Sequence, residues 1–146
     1  MKMLHDTEVR RNIESRLAAL RPDAKPQWGS MSPDQMLWHL SQFLEFAMGE
    51  GSYPRGKMPM PLPIMRLFVL YMPWPKNAPT HPSAKARATY DFDAERQRCF
   101  TLLQRFVTRP VDGAWPEDPA WGNAGGRFAS RLQARHIDWH LSQFNV

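Results

Sequence analysis

The chain has 146 residues, 42% of them hydrophobic and 23% charged, a balance that fits one globular domain over residues 1–146 and excludes disordered and fibrous classes. Nineteen Lys and Arg against fourteen Asp and Glu leave a formal net charge of +5, and the single cysteine, Cys99, excludes an internal disulfide framework and any multi-cysteine zinc site. The longest apolar run, Pro63 to Pro73, is interrupted by Arg66 and too short for a bilayer, and the start MKMLHDTEVRR lacks the apolar stretch of a secretory signal. The expectation is therefore a soluble, cytoplasmic protein with no membrane partner.

A first helix is predicted from about Asp6 to Leu20, where Val9, Ile13, Leu17 and Leu20 form one apolar stripe and Arg21-Pro22 ends it. The second carries the clearest signals. Ser32 is its N-cap, Pro33 fits the first helical position, Gln35 completes an S-x-x-Q capping box and Gly49 closes it as a left-handed cap. Met36, Leu37, Leu40, Phe43, Leu44 and Ala47 supply its apolar face.

Eight of the 14 prolines then fall between Pro54 and Pro82, so this interval is not one regular element. Within it, Ile64 to Met72 reads equally as a short buried helix or a strand. PWPKNAPTHP, Pro73 to Pro82, reads as an irregular loop, either the lid of a site or a cover over the helices. A third long helix starts near Asp91 or Asp93, buries Phe92, Cys99, Leu102, Leu103, Phe106 and Val107, and ends at Pro110. The last runs from Gly125 or Gly126 to about Phe144, with Phe128, Leu132, Ile137, Trp139 and Leu141 as its apolar positions. Four amphipathic helices without repeats or hairpins predict an all-α four-helix bundle with a long proline-rich connection after the second helix.

The cations are spread over these helices: Arg10, Arg11 and Arg16, then Arg96, Arg98, Arg105 and Arg109, then Arg127, Arg131 and Arg135. Scattered in this way they read as solvated helix faces, and no nucleic-acid-binding motif accompanies them. Asp138 reads as a surface charge paired with Arg131 or Arg135, Arg135 as part of a solvated face, and Cys99 as buried and inert.

The histidines carry the chemistry. His136 and His140 stand at i and i+4 in RHIDWHLSQF, which places both imidazoles on one helix face, able to converge on one metal ion. His39 lies in QMLWHLSQF, beside the apolar stripe of its helix. It reads either as a core histidine satisfied by hydrogen bonds or as a third ligand from a neighbouring helix. His5 and His81 are expected to be exposed, His81 reaching the site only if the proline-rich loop folds over it. Position 137 is Ile, so H-E-x-x-H and its general base are absent, as are the E-x-x-H pairs of di-iron bundles. Gln35, Trp38, Phe43, Phe46, Trp139 and Gln143 neighbour the histidines along the sequence or at helical spacing and are the candidate pocket residues.

GSMSPDQMLWHLSQF, PWPKNAPT, DFDAERQRCFTLLQRF, DPAWG and RHIDWHLSQF occur in an order that resembles the DinB-like superfamily of metal-binding helical bundles, in a bacterial branch known as a domain of unknown function. The resemblance spans about Gln27 to Phe144. It implies a four-helix bundle, often a homodimer, with one divalent ion (zinc, nickel or iron) on His39, His136 and His140. Some members of the superfamily are transferases or isomerases that act with a low-molecular-weight thiol.

Three neutral imidazoles leave the charge of such an ion uncompensated. An open position can then activate water, giving a hydrolase, or hold a small-molecule thiol, giving a thiol-dependent transferase. A non-catalytic binding or structural protein is the other reading. An open position beside a pocket favours an enzyme, and a fourth protein ligand favours a structural site. Histidines bonded only to backbone, Gln35 and Gln143 would argue against a metal.

Overall fold

The computed structural model describes residues 1–146, and its regular elements are all helical. They are α1 (Thr7–Ala19), α2 (Pro33–Ala47), α3 (Leu62–Tyr71), α4 (Phe92–Thr108) and α5 (Gly125–Gln143), with one 3-10 turn at Pro82–Ala84. None of the helices is long and apolar enough to cross a membrane.

The helix ends follow from local chemistry. At the start of α2 the Ser32 amide donates to Gln35 Oε1 at 3.2 Å, with Pro33 in the first turn, and after its end Gly49 takes a φ of +80°. At α4 the choice between the two aspartates falls on Asp91, whose carboxylate accepts the Ala94 amide at 2.7 Å. The ambiguous stretch 64–72 belongs to a helix. Pro63 sits in the first turn of α3, where its missing N–H costs nothing, and no strand is present for the segment to pair with. The Trp74 indole N–H then donates to the Val69 carbonyl at 2.9 Å and turns the chain back across the end of α3.

The main core comprises eighteen buried residues drawn from α1, α2, α4, α5 and the segments flanking them, and α3 contributes none. α2 packs most extensively on α4, α5 lies against both α1 and α2, and α3 rests on α5. Cys99 is fully buried within this core, and burial pushes its thiol up to about 12, as expected of an inert cysteine. α3 keeps Ile64, Leu67, Phe68 and Tyr71 exposed on its outer side. Phe106 is the largest side chain with no exposed surface. Phe106→Ala is expected to cost about 3–5 kcal/mol, read as a lower urea midpoint with the helical circular dichroism of the folded state retained.

His5, Asp138 and Arg135 make contacts that residue spacing does not predict. His5 is half-buried, not exposed. Its Nε2–H donates to the Arg109 carbonyl at 2.9 Å, its Nδ1 lies 2.8 Å from the Ser130 hydroxyl, and its ring packs on Phe106 and Trp115. It therefore pins the N-terminus to the ends of α4 and α5. Asp138 is exposed but pairs at 2.5 Å with Arg16 of α1, because α1 packs along that side of α5. Arg135 is not on a solvated face. Its guanidinium donates to the Leu70 and Met72 carbonyls at the end of α3, which lack helical partners, and lies over the Trp74 ring.

Candidate metal centre

His39 projects from the middle of α2, and His136 and His140 from successive turns of α5. All three are buried, and their ligand nitrogens lie within 4.8 Å of one another. The helical spacing fixes the α5 pair. Packing of α2 on α5 brings the third ring to them, with His39 Nε2 standing 3.1 Å from His136 Nε2.

The hydrogen bonds decide which nitrogens are free. His39 Nδ1–H donates to the Ala84 carbonyl at 2.8 Å, so its Nε2 carries the lone pair. The Gln143 amide donates through Nε2 to the Trp28 carbonyl at 2.6 Å, which leaves Oε1 to accept from His140 Nδ1–H at 2.9 Å. His140 Nε2 is thereby a lone pair as well. Gly29 makes this arrangement possible. It takes a φ of +75°, and a Cβ there would stand 2.8 Å from Gln143 Nε2.

Desolvation holds all three imidazoles neutral. It lowers His39 against the opposing pull of the Ala84 carbonyl, and lowers His136 strongly with help from its two neighbours. It brings His140 down to about 3, the nearby His39 adding to the effect and Gln143 resisting it. Two nitrogens 3.1 Å apart cannot both present lone pairs to each other without repulsion. In the metal-free chain a proton of His136 occupies that gap, and a cation can take the proton's place.

The donor set therefore fits a divalent transition ion. Neutral imidazoles suit zinc, nickel and iron. Bonds of about 2.0–2.1 Å in a tetrahedral shell need ligand nitrogens about 3.3 Å apart; the His39 and His136 Nε2 atoms stand 3.1 Å apart, and all three ligand nitrogens lie within 4.8 Å of one another. Only His39, His136 and His140 form a cluster of this kind, so no fourth His, Cys, Asp or Glu closes the shell. The bonds to Ala84 and Gln143 occupy only one nitrogen each, so they orient the rings without using up their donors.

A cavity of about 510 Å³ opens beside the histidines. Phe43, Trp139 and Gln143 line it as expected, together with Trp28, Trp74 and Leu132. Three expected pocket residues do not reach it. Gln35 is engaged in the α2 cap and donates its amide to the Ala88 carbonyl at 3.0 Å. Trp38, turned about 100° from His39 around the helix, stacks on Tyr90 at 5.4 Å. Phe46 lies behind the wall, edge-on to Phe43 and against Tyr53 at 4.8 Å.

Sequence reasoning missed Tyr53, Asp118 and Gln133, all of which line the cavity. Gln133 stands three residues before His136, so helical spacing alone could have placed it on that face. Tyr53 and Asp118 come from irregular segments that carry no periodic signal. His81 is half-buried, not exposed. The loop does fold over the site, and the His81 ring lies 4.2 Å from that of Tyr53 in the cavity wall. No family model, curated protein or solved structure matches the chain.

Proposed function

We propose that the chain is a divalent-metal-dependent enzyme acting on a small molecule in the cavity beside His39, His136 and His140, as a transferase that uses a low-molecular-weight thiol. One observation carries the reading. Three buried neutral imidazoles stand together with no fourth ligand, and they line a cavity large enough for a small substrate. A bound divalent ion supplies Lewis acidity there, enough to keep a thiol as its thiolate near neutral pH.

The chain's own groups orient and enclose. The Ala84 carbonyl fixes the tautomer of His39, Gln143 fixes that of His140, and Trp28, Phe43, Trp74 and Trp139 wall the cavity with aromatic surface. We read the architecture as a DinB-like four-helix bundle of α1, α2, α4 and α5. The support is the order of the sequence motifs and the main core those four helices share with the segments flanking them.

Cobalt-loaded protein tests the reaction class. On adding 2-mercaptoethanol, a near-ultraviolet thiolate-to-cobalt band is expected, followed by thiol consumption with a reactive aryl halide. Both should be absent from the triple variant His39→Ala, His136→Ala, His140→Ala. Absence of both from the loaded wild type would overturn the thiol reading. Metal-dependent cleavage of an activated ester without any thiol band would point instead to a hydrolase.

Gln143 offers a narrower prediction. Gln143→Leu removes the acceptor that holds the His140 tautomer and is expected to weaken zinc about 10–100-fold in competition with a chelating dye. Unchanged affinity would mean that Gln143 does not orient the ring.

A further inference from the structure

Gln133 is 98% buried on α5, and it carries an unfinished hydrogen-bond account. Its Nε2 donates to the Phe43 carbonyl in a long hydrogen bond of 3.4 Å. Its Oε1 is buried and has no partner within the chain, and the residue itself is part of the cavity lining. A buried acceptor left unpaired is unfavourable, so a donor from a bound molecule would be favoured there.

Asp118 is the one carboxylate among the residues lining the same cavity. Its Oδ1 accepts two backbone amides, from Ala120 at 2.8 Å and Trp121 at 2.9 Å, and its second oxygen accepts none within the chain. The two arginines nearby are engaged elsewhere. Arg66 donates to the Trp121 carbonyl, and Arg55 donates to the Pro119 carbonyl and to Glu117. Burial raises the Asp118 carboxyl in spite of both arginines, so its negative charge is under-compensated. Lys76, the one Lys or Arg in the cavity wall, lies over the Trp28 ring at 4.9 Å.

We propose that Gln133 and Asp118 form a subsite for a protonated primary amine, so that the small molecule taken up beside the histidines is an amine-bearing one. An ammonium has three donors and no acceptor, which matches an unpaired amide oxygen and an open carboxylate oxygen. A neutral hydroxyl could satisfy Gln133 but would leave the charge of Asp118 unanswered. The assignment deepens the proposed function and rests on it for the idea that a small molecule occupies this cavity.

Cysteamine and 2-mercaptoethanol differ in an ammonium against a hydroxyl, and both can be titrated calorimetrically into the zinc-loaded full chain. Cysteamine is expected to bind about tenfold more tightly. Asp118→Asn keeps the acceptor for the Ala120 and Trp121 amides, so the loop is retained, and it should cut the preference to within about twofold. Gln133→Leu should weaken cysteamine without impairing the fold. Equal affinities in the wild type, or a preference that neither substitution changes, would overturn the subsite.

A thiol-free probe separates this proposal from the reading beneath it. Ethylammonium, followed through the Gln133 side-chain amide resonance of nitrogen-15-labelled protein, should shift that resonance in the wild type but not in Asp118→Asn. A shift without any thiol binding would retain the amine subsite and remove the thiol chemistry. No shift at saturating ethylammonium would overturn the subsite even if thiols bind.

Discussion

Zinc at a free concentration about a thousandfold above its Kd is expected to raise the thermal unfolding midpoint by about 10 °C, and His136→Ala to abolish the rise. The unfolded chain has no preformed site, so the free energy of metal binding adds to that of folding. His136 touches both other rings: its Nε2 lies 3.1 Å from that of His39 and its ring centroid 4.8 Å from that of His140. Calorimetry with and without zinc reads the effect directly. Phe106→Ala is the control: it should lower the midpoint in both states and leave the zinc-induced rise in place, because Phe106 belongs to the main core and lies outside the cavity wall.

The second large effect is acid sensitivity of the metal-free chain. In the unfolded state the three imidazoles titrate near 6.5, whereas burial holds them lower in the native state. Between those values the unfolded state binds more protons, so stability is complete above about pH 6.5 and is lost as the pH falls. For His140, lowered to about 3, the loss between pH 7 and pH 5 is about 2 kcal/mol and continues to about pH 3. His39 and His136 act in the same direction. Asp118, raised by burial, opposes them. Urea unfolding at pH 7 and pH 5 measures the difference. Removing all three histidines should flatten the dependence, and an unchanged slope in that variant would place its origin elsewhere.

Much of the fold was legible in the sequence for a plain reason. α1, α2, α4 and α5 each bury one stripe at helical spacing, and capping chemistry at Ser32, Gly49 and Asp91 marks ends that agree with the structure to within one or two residues. The segment at α3 was ambiguous because ten residues hold fewer than three turns, too short for a period to show. His136 and His140 were legible together because their juxtaposition is local. That His39 joins them depends on how α2 packs on α5, which residue spacing alone does not determine.

The rest of the cavity was illegible for a related reason. Tyr53, His81 and Asp118 reach it from irregular segments, and their positions are set by long-range contacts. One example is Arg135, whose bonds to the Leu70 and Met72 carbonyls anchor the end of α3, and with it the start of the loop that carries Trp74, to α5. Gln35 and Trp38 were misplaced because proximity in sequence to His39 says little about direction around a helix. One faces the N-terminal cap and the other Tyr90.

The most direct test of the central claim is the metal content of the full chain after loading with zinc and exhaustive dialysis, measured beside the triple variant His39→Ala, His136→Ala, His140→Ala. One tightly held ion per chain in the wild type and none in a variant that remains helical is the predicted result. Equal retention by both, or no specific retention by the wild type after reloading with zinc, nickel or iron, would contradict it.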